Sequence, residues 1–510
     1  MKSGAPAYAR NVRAVRVAVL CALLLPAVAT AANPRPFTVP ALRSWHGGSG
    51  TVALREHPRV LAATAAARGE AATLARDLGG RVVKGGPADV VLGPWKGNGL
   101  GAEGYALTIA DSGVTIGART AAGWFYGGRT VLQLRGKPLP IGRATDRPVE
   151  RDRGMMIDVG RRFYPRAWLI ARIKELAGLK LNLLHLHLSD DQGFRVASPS
   201  HPEIVSKDHL TVADISALQA AAKRAHVTIV PEIDMPGHMT AALAKHPDLQ
   251  LTDALGNKQP DKLDVTLPAA RTFVAELLAD QLKLWKGPYW HAGADEYLGA
   301  FSTAADYAKY PQLQAFAQAK YGSDANGHDA VQDFVNTIGA QVRAAGKQLR
   351  VWGDGMTGGS KVSLPTTAIV EWWENRVSEA PADLTKAGYD VLNVGWWPLY
   401  YVNGGPLGSL RSTEQDFYEQ WDPWHFEGPY TTRWTGGPGT FYTLPHTDKH
   451  VRGATLAVWN DDPANAGGAP ATLAKALTPR LRILAQKTWG SPELTARYAD
   501  FAARSSSLRR

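Results

Sequence analysis

Two acids stand side by side at the end of an apolar, aromatic run, Gly287-Pro-Tyr-Trp-His-Ala-Gly-Ala-Asp-Glu-Tyr-Leu-Gly299. Burying one carboxylate at a strand end is costly, and burying two makes sense mainly where a reaction needs them. Adjacent like charges push their pKa values apart, so that one stays a proton donor while the other stays ionised. An isolated Asp-Glu dipeptide is ordinarily a solvated loop. The apolar residues before Asp295 and Glu296, with Trp, His, Gly and Tyr around them, point to a reacting pair instead. Other polar groups recur in similar places: Asp158 with Arg161, Ser189-Asp190-Asp191, Asp234 with His238, Asp354, Glu371, and Asn460-Asp461-Asp462.

Carboxylates, a His, an Arg and many aromatics suit hydrolysis of a glycosidic bond. Protonating the leaving oxygen needs an acid with a raised pKa, and the positive charge developing on the sugar needs a nearby anion. The 16 tryptophans fit this reading, because sugar rings stack on aromatic faces; core packing is the other use of such residues. A competing reading starts from His185 and His187. Spaced by two on a strand they face the same way, and a barrel can hold a catalytic metal on such a pair. That reading needs further ligands; His238 and His291 are available but poorly placed, and such histidines more often fill a barrel interior.

The elements that must carry these groups form a regular series. Strands are expected at Gly154–Val159, Leu181–Leu188, Val227–Asp234, from Tyr289, Leu349–Trp352, Ala368–Trp373, Val391–Gly395 and Ala454–Trp459. Helices are expected at Pro165–Leu179, Val212–Ala225, Leu267–Leu284 and Ala330–Ala345. Eight strands, mostly alternating with helices, predict an α/β fold of the (β/α)8 TIM-barrel type over residues 148–510, closed by a C-terminal helix. In such a barrel the active site lies at the C-terminal strand ends, where the polar residues named above fall. Residues 33–147 read as a small α+β domain. Its helices are expected near Ala63–Leu78 and Ala121–Leu134, with short strands at Val90–Leu92, Tyr105–Ile109 and Gly113–Gly117, and no catalytic cluster. The stretch from Asn403 to His450, with Tyr418, Trp421, Trp424, Tyr430 and Trp434, reads as a lid or wall over part of a ligand.

Residues 1–32 have the form of a secretory signal peptide. Lys2, Arg10, Arg13 and Arg16 precede an apolar run, Val17–Ala29, too short to span a bilayer, and Ala29-Thr30-Ala31 fits a small-x-small cleavage site. The protein is therefore expected to be secreted, with cleavage near Ala31 or Ala32. Cys21, the one cysteine, would leave with the leader, so neither disulfides nor thiolate catalysis are expected. Loss of the four leader cations lowers the net charge from +11 to +7. The remaining cations are scattered rather than clustered, which argues against a nucleic-acid site, and no second apolar run is long enough to cross a membrane.

At these residues the chain resembles glycoside hydrolase family 20, the β-N-acetylhexosaminidases. The similar segments are Arg153-Gly-Met-Met-Ile-Asp-Val-Gly-Arg161, Lys180-Leu-Asn-Leu-Leu-His-Leu-His-Leu-Ser-Asp-Asp-Gln-Gly193, Pro231-Glu-Ile-Asp-Met-Pro-Gly-His238, His291-Ala-Gly-Ala-Asp-Glu296 and Ala457-Val-Trp-Asn-Asp461. The resemblance implies a substrate-assisted retaining mechanism, in which the substrate's 2-acetamido oxygen attacks the anomeric carbon to form an oxazolinium ion. It implies Glu296 as general acid and then base, and Asp295 as the group that orients the acetamido N–H. Asp190 and His238 would form a relay to Glu296, with Asp234 supporting His238. Arg161 would bind ring hydroxyls, Trp352, Trp373 and Trp459 would wall the sugar, and either Tyr400 or Tyr401 would hold the acetamido oxygen. The substrate would be a carbohydrate, and neither cofactor nor metal is implied. Departures from the family pattern are Arg161-Arg162 for the frequent Arg-His, the alanines of His291-Ala-Gly-Ala-Asp-Glu296, Leu399-Tyr-Tyr-Val-Asn403 where many members have Tyr-x-Asp, and Asp461 in place of Glu. These departures resemble a branch that includes disaccharide-releasing lacto-N-biosidases.

Overall fold

The computed structural model describes residues 31–299, 303–356, 358–404, 412–428, 441–461 and 468–508, together with Met1 and Gly4. The expected leader thus lies outside the described residues apart from Met1, Gly4, Ala31 and Ala32. The described chain forms a small α+β domain followed by a closed barrel.

In the first domain seven strands run in the order β1-β7-β5-β6-β4-β2-β3. They are β1 (His46–Val52), β2 (Arg59–Ala62), β3 (Arg81–Val83), β4 (Val90–Pro94), β5 (Tyr105–Ala110), β6 (Gly113–Ala118) and β7 (Leu139–Asp146). Helices α1 (Arg68–Leu78) and α2 (Ala121–Leu134) pack against the sheet. The Thr120 side chain caps α2 by accepting from Gly123 N–H. Four of these strands, β1, β2, β3 and β7, go beyond the sequence expectation. β1 reads HGGSGTV, poor in the branched residues that mark strands, and it is held by antiparallel pairing with β7 rather than by propensity.

The barrel strands are β8 (Asp152–Asp158), β9 (Leu183–His187), β10 (Thr228–Met235), β11 (Tyr289–Gly293), β12 (Gln348–Trp352), β13 (Ile369–Trp372), β14 (Asp390–Asn393) and β16 (Val451–Trp459). All neighbouring pairs are parallel, and β14 pairs with β16 to close the ring. Helices α3 (Arg166–Gly178), α4 (Val212–Arg224), α5 (Pro268–Leu284) and α6 (Gly327–Ala344) follow the first four strands, and α9 (Pro470–Thr488) follows the last. The alternation weakens in between. A single 3-10 turn joins β12 to β13, and only a six-residue helix, α7 (Pro381–Lys386), joins β13 to β14.

A short ninth strand, β15 (Tyr400–Val402), pairs with the second half of β16, setting Tyr400 opposite Ala457 and Val402 opposite Trp459. The excursion that follows holds α8 (Glu414–Gln420) and a hairpin. Its aromatics Tyr418, Trp421 and Trp424 pack into cores rather than forming a wall over the site. Trp421 lies in the main core beside Phe417, Tyr418 stacks on Phe501 of α10 (Tyr498–Ser506), and Trp424 stacks on His446. Tyr430 and Trp434 lie outside the described residues.

A buried polar lock joins the two domains. Lys180, at the end of α3, is fully buried; its Nζ donates to Tyr105 Oη at 2.7 Å and contacts Asp146 Oδ2 at 3.1 Å. Asp146 Oδ1 accepts from Trp489 Nε1 at 2.9 Å, and Arg153 of the barrel meets Glu103 of the first domain at 2.8 Å. Among the described residues no helix is long and apolar enough to cross a membrane.

Candidate active site

Parallel register aligns one row of inward side chains across the barrel: Asp158 opposite His187, His187 opposite Glu232, and Glu232 opposite His291. Successive residues of a strand face opposite ways, so each of these strands contributes this row to the interior and its alternates to the helices. His187 sits between two acids, with Nδ1 at 2.7 Å from Glu232 Oε2 and Nε2 at 2.8 Å from Asp190 Oδ2. Burial opposes its charge, but the two carboxylates raise His187 well above the usual imidazole range, so both nitrogens donate.

Above this row the groups expected at the strand ends converge. Arg161 reaches Asp190 at 2.9 Å, Asp158 at 3.2 Å and Asp461 at 3.5 Å, and its guanidinium lies 5.1 Å above the Trp459 ring. Burial opposes ionisation of Asp190, but Arg161, His187 and His238 hold it well below the usual carboxylate range. His238 Nδ1 faces Asp190 Oδ1 at 3.5 Å and its Nε2 faces Glu296 Oε2 at 3.3 Å. These contacts are longer than well-formed hydrogen bonds, yet they define the Asp190–His238–Glu296 line that the sequence suggests. Burial again opposes charge, and Asp190, Glu296 and Asp234 together raise His238 well above its usual range.

The backbone is bent into unusual conformations here. Ala294, Glu296 and His238 all have positive φ, at 77°, 49° and 54°. Such values are uncommon for residues other than glycine and mark a constrained site. Gly293 shows what the bend accommodates: at φ 70° a Cβ there would lie 1.7 Å from Asp234 Oδ1. Asp234 makes no hydrogen bond to His238 and acts on it through its charge. Its two oxygens lack protein partners, and burial and the Asp295 charge raise it well above the usual range. Asp295 is also pushed up, to about 6, by burial against the pull of His238 and with the push of Glu296. Asp461 is raised to about 6 by burial, with Arg161 opposing. Asp462 lies outside the described residues.

One aromatic cluster forms the adjoining wall. Trp352, Trp373, Tyr400 and Trp459 pack together with Trp396. Tyr400 stacks on Trp396 at 4.7 Å and on Trp373 at 6.0 Å, and it lies 5.9 Å from Trp459. Burial, with the charges of Asp295, Glu296 and Asp354, pushes the Tyr400 hydroxyl well up. Tyr401 does not join this wall. One residue further along β15 it faces the main core, beneath the Arg480 guanidinium at 5.6 Å, because adjacent strand residues point to opposite sides. Of the two tyrosines only Tyr400 belongs to this aromatic cluster.

Two indoles are pinned from below. Trp352 Nε1 donates to Glu232 Oε1 and Trp373 Nε1 to Asp354 Oδ1, both at 2.8 Å. His187, Glu232, Asp354 and Trp396 are therefore part of the site; the sequence places Asp354 at a strand end and offers His187 only as a metal ligand or interior filler, and it gives Glu232 and Trp396 no role. Register was the available signal for His187 and Glu232, since each occupies the same row as Asp158. A cavity of about 440 Å³ is lined by Glu296, Tyr307, Gln314, Asn326, His328 and Asp354.

His185, His291 and Glu371 converge. His291 Nδ1 lies 3.0 Å from the Gly293 amide nitrogen and 3.2 Å from Glu232 Oε1, and Glu371 is held by Arg350 Nε at 2.6 Å. An arginine beside that carboxylate opposes a second cation in this cluster.

A model for glycosyl hydrolase family 20, catalytic domain, matches residues 152–492, and one for domain 2 of that family matches residues 35–146. The chain belongs to glycosyl hydrolase family 20. Within the family it is 28% identical over 489 residues to a lacto-N-biosidase of Bifidobacterium bifidum, covering 92% of this chain and 41% of the relative. The chain thus spans less than half the length of that relative. It is 29% identical over 438 residues to a β-N-acetylhexosaminidase of Cellulomonas fimi, covering 79% of this chain and 77% of the relative. The family 20 β-N-acetylhexosaminidase structure from Streptomyces coelicolor A3(2) superposes with a TM-score of 0.71 at 26% identity, covering 94% and 96% of the two chains. An exo-β-N-acetylglucosaminidase structure from Vibrio harveyi shares the fold, with a TM-score of 0.75 at 20% identity over 92% of this chain and 75% of the other.

Proposed function

We propose that this family 20 member is a secreted retaining β-N-acetylhexosaminidase. It would remove terminal β-linked N-acetylhexosamine by substrate-assisted catalysis. The observation that carries the proposal is the split environment of two consecutive acids. Glu296 lies against the His238–Asp190 line, whereas Asp295 is buried beside the aromatic wall and carries an oxygen without a protein partner. In the first step the acetamido oxygen bonds to the anomeric carbon as the glycosidic bond breaks. The leaving oxygen takes the Glu296 proton, and Asp295 accepts the acetamido N–H and offsets the positive charge of the oxazolinium ion. Water then attacks the same carbon, Glu296 takes its proton, and the acetamido group is restored with the original configuration.

Arg161 and Asp461 are suited to bind the hydroxyls of the terminal sugar, and Tyr400 to donate to the acetamido oxygen. The cavity beside Glu296 leaves room for the aglycone. A second reading, release of a disaccharide by the same chemistry, is favoured by Asp461. Being a methylene shorter than Glu, it leaves more space beside Arg161, and a lacto-N-biosidase is among the relatives matched over most of the chain.

The deciding test is p-nitrophenol release from the β-GlcNAc glycoside beside the β-lacto-N-bioside glycoside, with and without EDTA, using wild type and Glu296→Gln. Chelator-resistant release from the monosaccharide, lost in the variant, supports the first reading, and release only from the disaccharide supports the second. Activity on neither refutes both. Export is tested by N-terminal sequencing of the protein from culture medium; a start near Ala31 or Ala32 supports it, and an intact Met1 refutes it.

A further inference from the structure

Asp354 lies in the turn after β12, is 8% exposed, and joins two parts of the site that are far apart in sequence. Its Oδ2 accepts the backbone N–H of Glu296 at 2.9 Å, and its Oδ1 accepts the indole N–H of Trp373 at 2.8 Å. Glu296 holds a left-handed backbone conformation, φ 49°, and follows Ala294 at φ 77°. Such conformations persist only where the surroundings over-determine them. Among the described residues, Asp354 is the side chain that binds the Glu296 amide. Trp373 in turn stacks on Tyr400, the hydroxyl-bearing member of the aromatic wall. One carboxylate therefore ties the backbone of the proposed acid to the wall of the proposed acetamido pocket.

We infer that Asp354 is a positioning residue that fixes Glu296 and Trp373 relative to each other, so that the acid meets the leaving oxygen while the acetamido group is held for attack. The inference rests on the reading of Glu296 as general acid. Both Asp354 oxygens are engaged by protein donors, the Glu296 amide and the Trp373 indole. Loss of Asp354 should misalign proton donation while leaving the pocket formed, and small misplacements of a catalytic group are expensive in rate.

The leaving group separates this role from a general structural one. A 2,4-dinitrophenyl glycoside departs without a proton, whereas a phenyl glycoside needs one. For Asp354→Asn, kcat/KM for phenyl β-GlcNAc is expected to fall by about 30-fold or more, and for the dinitrophenyl glycoside by less than about 3-fold. Glu296→Gln, assayed in parallel, should show the same split more strongly. If Glu296→Gln shows no split, the reading of Glu296 fails and the inference falls with it. If Glu296→Gln shows the split but Asp354→Asn lowers both substrates equally or neither, only the inference is overturned. Asp354→Ser, which keeps an acceptor oxygen but cannot span both donors, takes the place of Asp354→Asn if the latter does not fold. Failure of both variants to fold would make Asp354 a structural group and overturn the inference.

Discussion

The lower and upper halves of the barrel are both lined with buried acids, but they treat them in opposite ways. In the lower half Asp152, Glu371 and Asp390 each meet an arginine. Asp152 is bound by Arg452 at 2.8 Å and by Arg350 at 3.1 Å, Glu371 by Arg350 at 2.6 Å, and Asp390 by Arg452 at 2.9 Å. Burial would raise Asp152 and Glu371, and the guanidinium groups reverse this and hold both below the usual range. At the mouth, Asp234, Asp295, Asp354 and Asp461 lie close to other acids, with Arg161 as the one arginine ion-paired there among the described residues, and all four are pushed up. Unequal compensation marks the difference between charge that holds a fold and charge left available to a site.

The largest effect that would break this contrast lies at the mouth. Asp295→Asn should lower kcat/KM on an aryl β-GlcNAc by about 10²–10³-fold; steady-state kinetics with the p-nitrophenyl glycoside measures it, and a near-normal rate would remove the available charge. In the lower half the loss should appear in stability instead. Arg350→Met strands Glu371, leaves Asp152 to Arg452 alone, and should cost about 3–5 kcal/mol in urea unfolding, with KM of the folded enzyme unchanged.

The contrast also has a pH signature. Asp295 is raised from 3.8 to about 6 by folding. Its favourable contribution is therefore complete below about pH 4 and is lost as pH rises through about 6. Asp152, depressed by folding, contributes above about pH 4 and loses its effect as pH falls. Asp295→Asn should accordingly be more stable than wild type at pH 7, by on the order of 2 kcal/mol, and no more stable at pH 4. Thermal melts at the two pH values test the sign. The finest test is within the ninth strand: Tyr400→Phe should lower kcat/KM by about 100-fold, whereas Tyr401→Phe should leave it within about twofold, because its ring faces the core. Equal losses would mean that the pleat does not separate their roles.

Much of this was legible before any coordinates. The barrel follows from eight apolar runs spaced by helices, and Asp190, His238, Asp295 and Glu296 meet because strand ends meet. What escaped the sequence is of two kinds. The strands β1 and β7 are held by pairing partners about 90 residues apart in the chain, which composition does not announce. The choice between Tyr400 and Tyr401 depended on where β15 begins, and a shift of one residue exchanges the two faces. Asp354 was visible as an acid after a strand, but its two partners, Glu296 and Trp373, come from other strands and are joined to it only by the closure of the barrel.

The buried Lys180 has a consequence for modularity. The two family models meet between residues 146 and 152, as though the chain were two interchangeable parts. Yet an ammonium at the end of a barrel helix finds both its acceptors, Tyr105 and Asp146, on the other side of that boundary. Cutting there would leave a lysine with no anion in an apolar wall. The first domain is thus the missing half of a charge pair, and the barrel cannot be cut free at that boundary without stranding a buried charge.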